Sequence, residues 1–559
     1  MPGNRARSFL DRLPTEVLYL ILGQFCGHCR GANIGCLHDI YPHRLSRGED
    51  IFQDDRRRVG DRQYVTQRWC ESHDVAAYRY REDKKSLASL GLVSKALRIP
   101  AQSVLHHFYL NGCKYQNSNN SVQFPAFLRF IVSIMDNPQL TRSVKSLSLG
   151  NHDQRGFRMG YTQLGMPEAS SFRSFLTSGG KPVPRKITRL DVLERLITAL
   201  PGLTHLGIGE FHVDYVDRDP SFFEQIEELP LTSIDVWIDP MNPTGGWYGR
   251  PHSLLKLLAR AIELSRGLRT LRIDGSCIST GIFRFTRPRL SLFRLRCLHL
   301  TSACLDVGEL QVILGTCSAL QNFMYMDGHD PDEYRSDRVP KARLDPAGVI
   351  RALEPCRSTL HSLAIKLWRP RDGMKDRTQV SFSGFSALQD MAIQWRTFYP
   401  NCEQDDVPAD EEKGDASQLL VQALPENIHG LWVIDSQFAK RPGRLESALE
   451  GLAAAKALGR FPHLRHLGCE VDAMMRRHGR RDATSAPGGR PAVFDAQNSI
   501  RDTLAASGVV VDYGLEWDIP LAPPVAYVDA EDMGCMLGDH SNIGCAPMPL
   551  PGEEEDDDL

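Results

Sequence analysis

The chain has no stretch of about 18 consecutive apolar residues, so no transmembrane helix and no membrane partner are expected. It also has no excess of charge of either sign. Sixty-six basic side chains face 69 acidic ones, for a net charge of −3, and that balance carries no electrostatic footprint for nucleic acid. Enzyme signatures are missing as well: there is no HExxH, no G-x-S-x-G and no G-x-x-x-x-G-K-[ST]. Gly179-Gly180-Lys181 runs into Pro182, which spoils a phosphate cradle, and Gly207-x-Gly209 has no third glycine. No catalytic residue is assigned, and the chain is not expected to be an enzyme. The first twelve residues hold Arg5, Arg7 and Arg12 without an apolar core, so secretion is not expected. The 14 scattered cysteines then read as free thiols in a reducing compartment, cytoplasmic or nuclear.

With 559 residues, 42% hydrophobic and 24% charged, the chain can hold a small domain and a larger or elongated one. The small one comes first. In Leu13-Pro14-Thr15-Glu16-Val17-Leu18, Pro14 suits a helix start, and Glu16 suits the positive end of the helix dipole. Leu18, Ile21, Leu22 and Phe25 then follow i, i+3, i+4, i+7 spacing. A second stretch, Ser86 to Leu110, predicts two more helices. Ser86 can cap the first, with Leu87, Leu90, Val93 and Leu97 on one face. Pro100 should restart the chain for the next, with Ala101, Val104, Leu105 and Phe108 in step. Three short amphipathic helices must pack on one another or on a partner. His106 and His107 fit the last turn of the third, where the carbonyl end favours cations.

These two stretches resemble the F-box. Leu13, Pro14, Glu16, Leu18, Ile21 and Leu22 match its first half; Leu87, Leu90, Val93, Ser94, Lys95, Leu97 and Arg98 match its second. The resemblance implies docking on a Skp-type adaptor, and through it on a cullin. It assigns adaptor contact to Leu13, Pro14, Glu16, Leu18, Ile21, Leu92, Val93, Ser94 and Lys95. The expected domain is 8–110. It departs from the family in one respect: residues 27–85 separate the halves. Long surface insertions add little closure entropy, so the helices can still meet.

That insertion contains Cys26-x-x-Cys29 at its start and Cys70-x-x-His73 near its end, with Cys36 and His38 between. Thiolates and imidazoles at such separations can chelate a tetrahedral Zn²⁺, which would order a polar segment inside a small domain. Cys26, Cys29, Cys70 and His73 are the candidate ligands. Against a metal, Cys26 also continues the apolar face of the first helix, and the default reading is no cofactor.

From residue 124 to 520 one step recurs: a leucine, two residues, a second apolar residue, then alternation. It appears at Val144/Leu147, Leu203/Leu206, Leu231/Ile234, Leu268/Leu271, Leu295/Leu298, Leu320/Phe323, Leu360/Leu363, Leu388/Met391, Ile428/Leu431 and Leu464/Leu467. Alternation after the second position marks a strand. Helical stretches lie between, at Leu193–Leu200, Leu254–Leu264, Leu305–Leu314, Val349–Leu353, Gln418–Leu424 and Leu445–Leu458. A closing unit is expected at 499–511. One strand and one helix per unit predict an α/β solenoid. The units resemble the degenerate leucine-rich repeats that follow F-boxes in many fungal proteins. The polar insertions 150–184, 327–346, 369–378 and 401–417 should emerge as loops. The six tryptophans at or near strand ends are more often core than recognition anchors. Residues 521–559, Pro-rich and then acidic, read as a disordered tail.

Taken together, the two resemblances imply a substrate-recognition subunit of a cullin–RING ubiquitin ligase, holding an unidentified target protein on its repeats. The alternatives are a leucine-rich interaction scaffold without a ligase role and a zinc-binding protein.

Overall fold

The protein is described here from a computed structural model. It covers residues 13–26, 29, 82–111, 130–134, 136–149, 189–209, 226–237, 252–274, 292–303, 305–327, 344–367, 380–394, 413–435, 442–471 and 501–512. The tail 521–559 and Cys36, His38, Cys70 and His73 lie outside the described residues, as does most of each long insertion.

Three helices form a head. Helix α1 is Thr15–Gly23, α2 covers residues 82–93 and α3 is Lys95–His107. The carbonyl of Pro14 starts α1 by accepting from the amides of Val17 and Leu18. Leu18 and Leu22 of α1, Leu87 of α2, and Leu97, Ala101 and Val104 of α3 are buried together, with Cys26 among them. The two halves of the pattern therefore meet despite the segment between them.

The breaks fall elsewhere than the proline suggested. Residues are already helical at Glu82, so Ser86 caps nothing. The chain breaks at Ser94, whose hydroxyl accepts from the amide of Ala96 at 3.1 Å, and Pro100 lies inside α3. A serine that can satisfy a free amide makes a better helix start than a proline, at the cost of one backbone bond at Pro100. Phe108 does not continue the third helix; it opens a strand. The expected boundary at 110 thus falls inside the first strand of the sheet.

Among the described residues that sheet has twelve strands, all parallel and in sequence order. They are β1 Phe108–Asn111, β2 Ser146–Leu149, β3 His205–Gly209, β4 Ser233–Trp237, β5 Thr270–Asp274, β6 Cys297–Ala303, β7 Asn322–Asp327, β8 Ser362–Lys366, β9 Asp390–Gln394, β10 Gly430–Asp435, β11 His466–Val471 and β12 Val510–Asp512. Such an order means that each strand pairs only with its neighbours in the chain. The architecture is α/β and solenoid-like.

The recurring step explains the register. Its second position forms one unbroken ladder across the pairs: Tyr109, Leu147, Leu206, Ile234, Leu271, Leu298, then Phe323, Leu363, Met391, Leu431, Leu467, Val511. All twelve are buried, and the helices between strands pack on them. Those helices, with a short one before them, are α4 at 130–134, α5 Pro138–Ser143, α6 Arg189–Ala199, α7 His252–Leu264, α8 Val307–Gly315, α9 Pro346–Leu353, α10 Lys413–Ala423, α11 Pro442–Ala457 and α12 at 501–506. Helix α10 begins inside the stretch expected as a loop to residue 417. Helix α8 shows why a helix starts where it does. Asp306 accepts from the Glu309 amide at 2.7 Å, and the Glu309 carboxylate accepts from the Asp306 amide at 3.2 Å.

A second ladder stitches the units just before each strand. The carbonyl of Lys145 accepts from the amides of Thr204 and His205, that of Thr204 from Thr232 and Ser233, and that of Thr232 from Arg269 and Thr270. The pattern continues to Arg465, which accepts from Val510. Its first rung is the carbonyl of His107, which accepts from Lys145 at 2.8 Å. The last residue of the head is therefore the first anchor of the sheet. Tyr109 of β1 stacks on Phe130 of α4 at 4.0 Å between ring centres, and the hydroxyls of Ser103 in α3 and Ser143 in α5 meet at 2.9 Å, so β1 and α3 are each also tied to a helix that precedes β2.

Candidate functional site

The head leaves apolar side chains in water. Leu20 is 72% exposed, Ile21 44%, Leu92 89%, Val93 74% and Ile99 69%, so all three helices contribute. Single exposed apolar residues are ordinary, but five within one small helical unit are not. The cause is legible in α1: Val17, Leu18, Leu20, Ile21 and Leu22 make it apolar around most of its circumference, and only one face can turn inward.

The residues assigned to adaptor contact divide into three groups. Ile21, Leu92 and Val93 are exposed, as are Pro14 and Glu16 beside them. Leu18 is buried and Leu13 packs half-buried on the head core, so these two build the head rather than face outward. Ser94 is occupied in capping α3, and Lys95 supplies the first residue of that helix. Leu20 and Ile99 were missed. Leu20 lies off the i, i+3, i+4 stripe, and Ile99 was overshadowed by the proline after it.

A second feature lies where the carboxyl ends of α1 and α3 meet. Cys26, Cys29 and His107 bring their ligand atoms within 4.8 Å of one another and can hold a metal ion. Cys29 Sγ stands 3.2 Å from His107 Nδ1. Three tight turns after α1, ending with the amide of Cys26 on the carbonyl of Gly23, lead the chain around. Cys29 then folds back on the helix end, where its Cβ would sit 3.2 Å from a Cβ at Gly23. Hydrogen bonding from Cys29 pulls the Cys26 thiol down to about 4, against its burial and with help from His107; Cys29 is pushed up as the donor of that pair. Of the sequence-assigned ligands, the structure brings Cys26 and Cys29 together. The third group, His107, carries only a helix-end cation signal in the sequence, because its 78-residue separation from Cys29 hides the contact.

The sheet face turned away from the helices carries a third set. Alternate residues on β4, β5 and β6 place Asp235, Arg272 and His299 in adjacent register. Arg272 Nε lies 3.7 Å from Asp235 Oδ1, and Ser233 donates to Asp235 at 3.4 Å. Burial, with Arg272 adding to it, drives His299 down to about 3, so its ring is neutral near neutral pH; Cys297 Sγ is 3.1 Å from its Nε2. Farther along, Trp432 lies half-buried on the same face. A Cβ at Gly430 or Gly468 would collide with its indole, so the two glycines form the shelf it rests on. Trp432 is thus no part of the ladder core on the helix side.

Among the described residues no helix is long and apolar enough to cross a membrane. No protein-family model matches the chain, and no curated protein matches it.

Proposed function

We propose that the chain is a substrate-receptor subunit of a cullin–RING ubiquitin ligase, with the head acting as an F-box on a Skp-type adaptor and the sheet, read as degenerate leucine-rich repeats, holding a target protein. The observation that carries this reading is the exposure of Leu20, Ile21, Leu92, Val93 and Ile99 on a three-helix unit set ahead of the sheet. Apolar side chains so placed gain most of their burial energy from a partner, at roughly 25 cal/mol per Å² removed from water. The Leu-Pro start and the Val93-Ser94-Lys95 segment support an adaptor as that partner. On this reading the chain makes and breaks no covalent bond. It supplies proximity, and ubiquitin transfer belongs to the other subunits.

The target would lie on the sheet face that carries Trp432 and, five strands away, the Asp235–Arg272 pair, since an indole on a glycine shelf offers rigid apolar area. The test uses the full chain and a purified Skp-type adaptor in size-exclusion chromatography. The wild type is expected to co-elute with the adaptor. Leu92→Asp combined with Val93→Asp is expected to abolish the complex while leaving thermal unfolding of the sheet unchanged. A wild type that never co-elutes overturns the ligase reading and leaves an interaction scaffold.

A further inference from the structure

We propose that Cys26, Cys29 and His107 are three ligands of one Zn²⁺ that fastens the end of α1 to the junction of α3 and β1. The site is independent of what the head binds. Its geometry is of the right size. Tetrahedral zinc with Zn–S near 2.3 Å and Zn–N near 2.0 Å sets ligand atoms about 3.6 to 3.8 Å apart. Here the three atoms all lie within 4.8 Å, with Cys29 Sγ and His107 Nδ1 at 3.2 Å, so a small outward adjustment admits the ion. Two thiolates and an imidazole are soft and borderline donors, which select zinc over calcium or magnesium. The fourth corner is left to water or to a ligand other than these three.

Two features of the fold call for a cation at this point. Cys26 follows the carboxyl end of α1, and His107 is the last residue of α3, so two helix ends with partial negative charge meet here. Thiolates at such a place add more negative charge, and a divalent cation offsets both. A resident redox pair fits less well: the first cysteine of a reactive C-x-x-C is accessible and sits at a helix amino end, whereas Cys26 is buried and lies past a carboxyl end. Among the described residues, seven buried side chains make the core of the head, and units with so small a core are commonly stapled by a metal. Because the carbonyl of His107 is already the first rung of the sheet's ladder, an ion on its ring ties α1 to the sheet through one residue.

The test is metal analysis of the full-length protein purified without chelator. About one zinc per chain is expected in the wild type, falling to background in Cys29→Ser and in His107→Ala, and unchanged in Cys297→Ser, which removes a cysteine–histidine contact of the sheet. Since a ligand variant can also disturb the head, the wild type is stripped with chelator and titrated with Co²⁺. A tetrahedral visible spectrum with a thiolate-to-cobalt band that saturates at one equivalent supports the site. Zinc added back to the stripped protein should raise the melting temperature. A wild type that carries no zinc and takes up Co²⁺ without a thiolate band overturns the proposal, as does a His107→Ala protein with wild-type metal content.

Discussion

The head and the sheet handle apolar surface in opposite ways. In the sheet every ladder residue from Tyr109 to Val511 is buried against its neighbours on adjacent strands and against the helices. Among its described residues only Phe293, Val312, Leu458 and Val510 stand out as exposed large apolar side chains, and they are scattered over different units. The head gathers five such residues on three short helices around a core of seven. The chain therefore has no general difficulty in burying apolar groups. Among the described residues it gathers exposed ones only on the head, the surface on which the proposed adaptor would dock.

Substitutions can break this contrast or sharpen it. The largest loss is expected at the centre of the ladder. Phe323→Ala should cost about 3–5 kcal/mol in urea unfolding, because the neighbouring strands cannot collapse into the gap. Leu22→Ala should cost about 2–4 kcal/mol, but as a separate early transition of the head, seen by amide hydrogen exchange on α1 with the sheet still protected. If the sheet lost protection together with the head, the two would be one cooperative unit and the contrast would fail.

Acid should separate the two regions as well. His299 binds a proton in the unfolded chain below its ordinary 6.5, but in the sheet only near 3. Its contribution is therefore complete above pH 6.5 and declines as pH falls toward 3, by at most about 1.4 kcal/mol per unit. His299→Asn should flatten that decline in a pH series of unfolding midpoints. Loss of the α8 cap in Asp306→Ala should cost about 1 kcal/mol. The smallest stability effect belongs to Leu92→Asp, within roughly 0.5 kcal/mol of the wild type because the side chain is already in water. A large stability loss at Leu92 would mean that the head's exposed surface is structural after all.

The sheet was legible because its signal repeats. Leu-x-x-Leu followed by alternation marks β2 to β11, and Val509-Val510-Val511 marks β12. Only β1 escaped: Phe108-Tyr109-Leu110 follows a helical stripe without any turn residue, so its helix period appeared to continue. In the head, the helices and their meeting were legible from spacing. The break was not, because proline outweighed a serine whose capping bond is local and weak. Which apolar residues face outward was only half legible, since a helix apolar on several sides does not say which side wins. The cluster of Cys26, Cys29 and His107 was two-thirds legible; a contact between residues 29 and 107 depends on the tertiary arrangement of α1 and α3, which no local pattern encodes.

The sequential order of the strands has a consequence for synthesis. A chain that leaves the ribosome amino end first can lay down each strand on a neighbour that is already outside, without waiting for any distant segment. By the time Lys145 emerges, α1, α2 and α3 are long since free of the exit tunnel, and His107 presents a ready carbonyl for its amide. The sequential order thus lets every strand after β1 be added to an edge that is already made, beginning at the residue where the head ends.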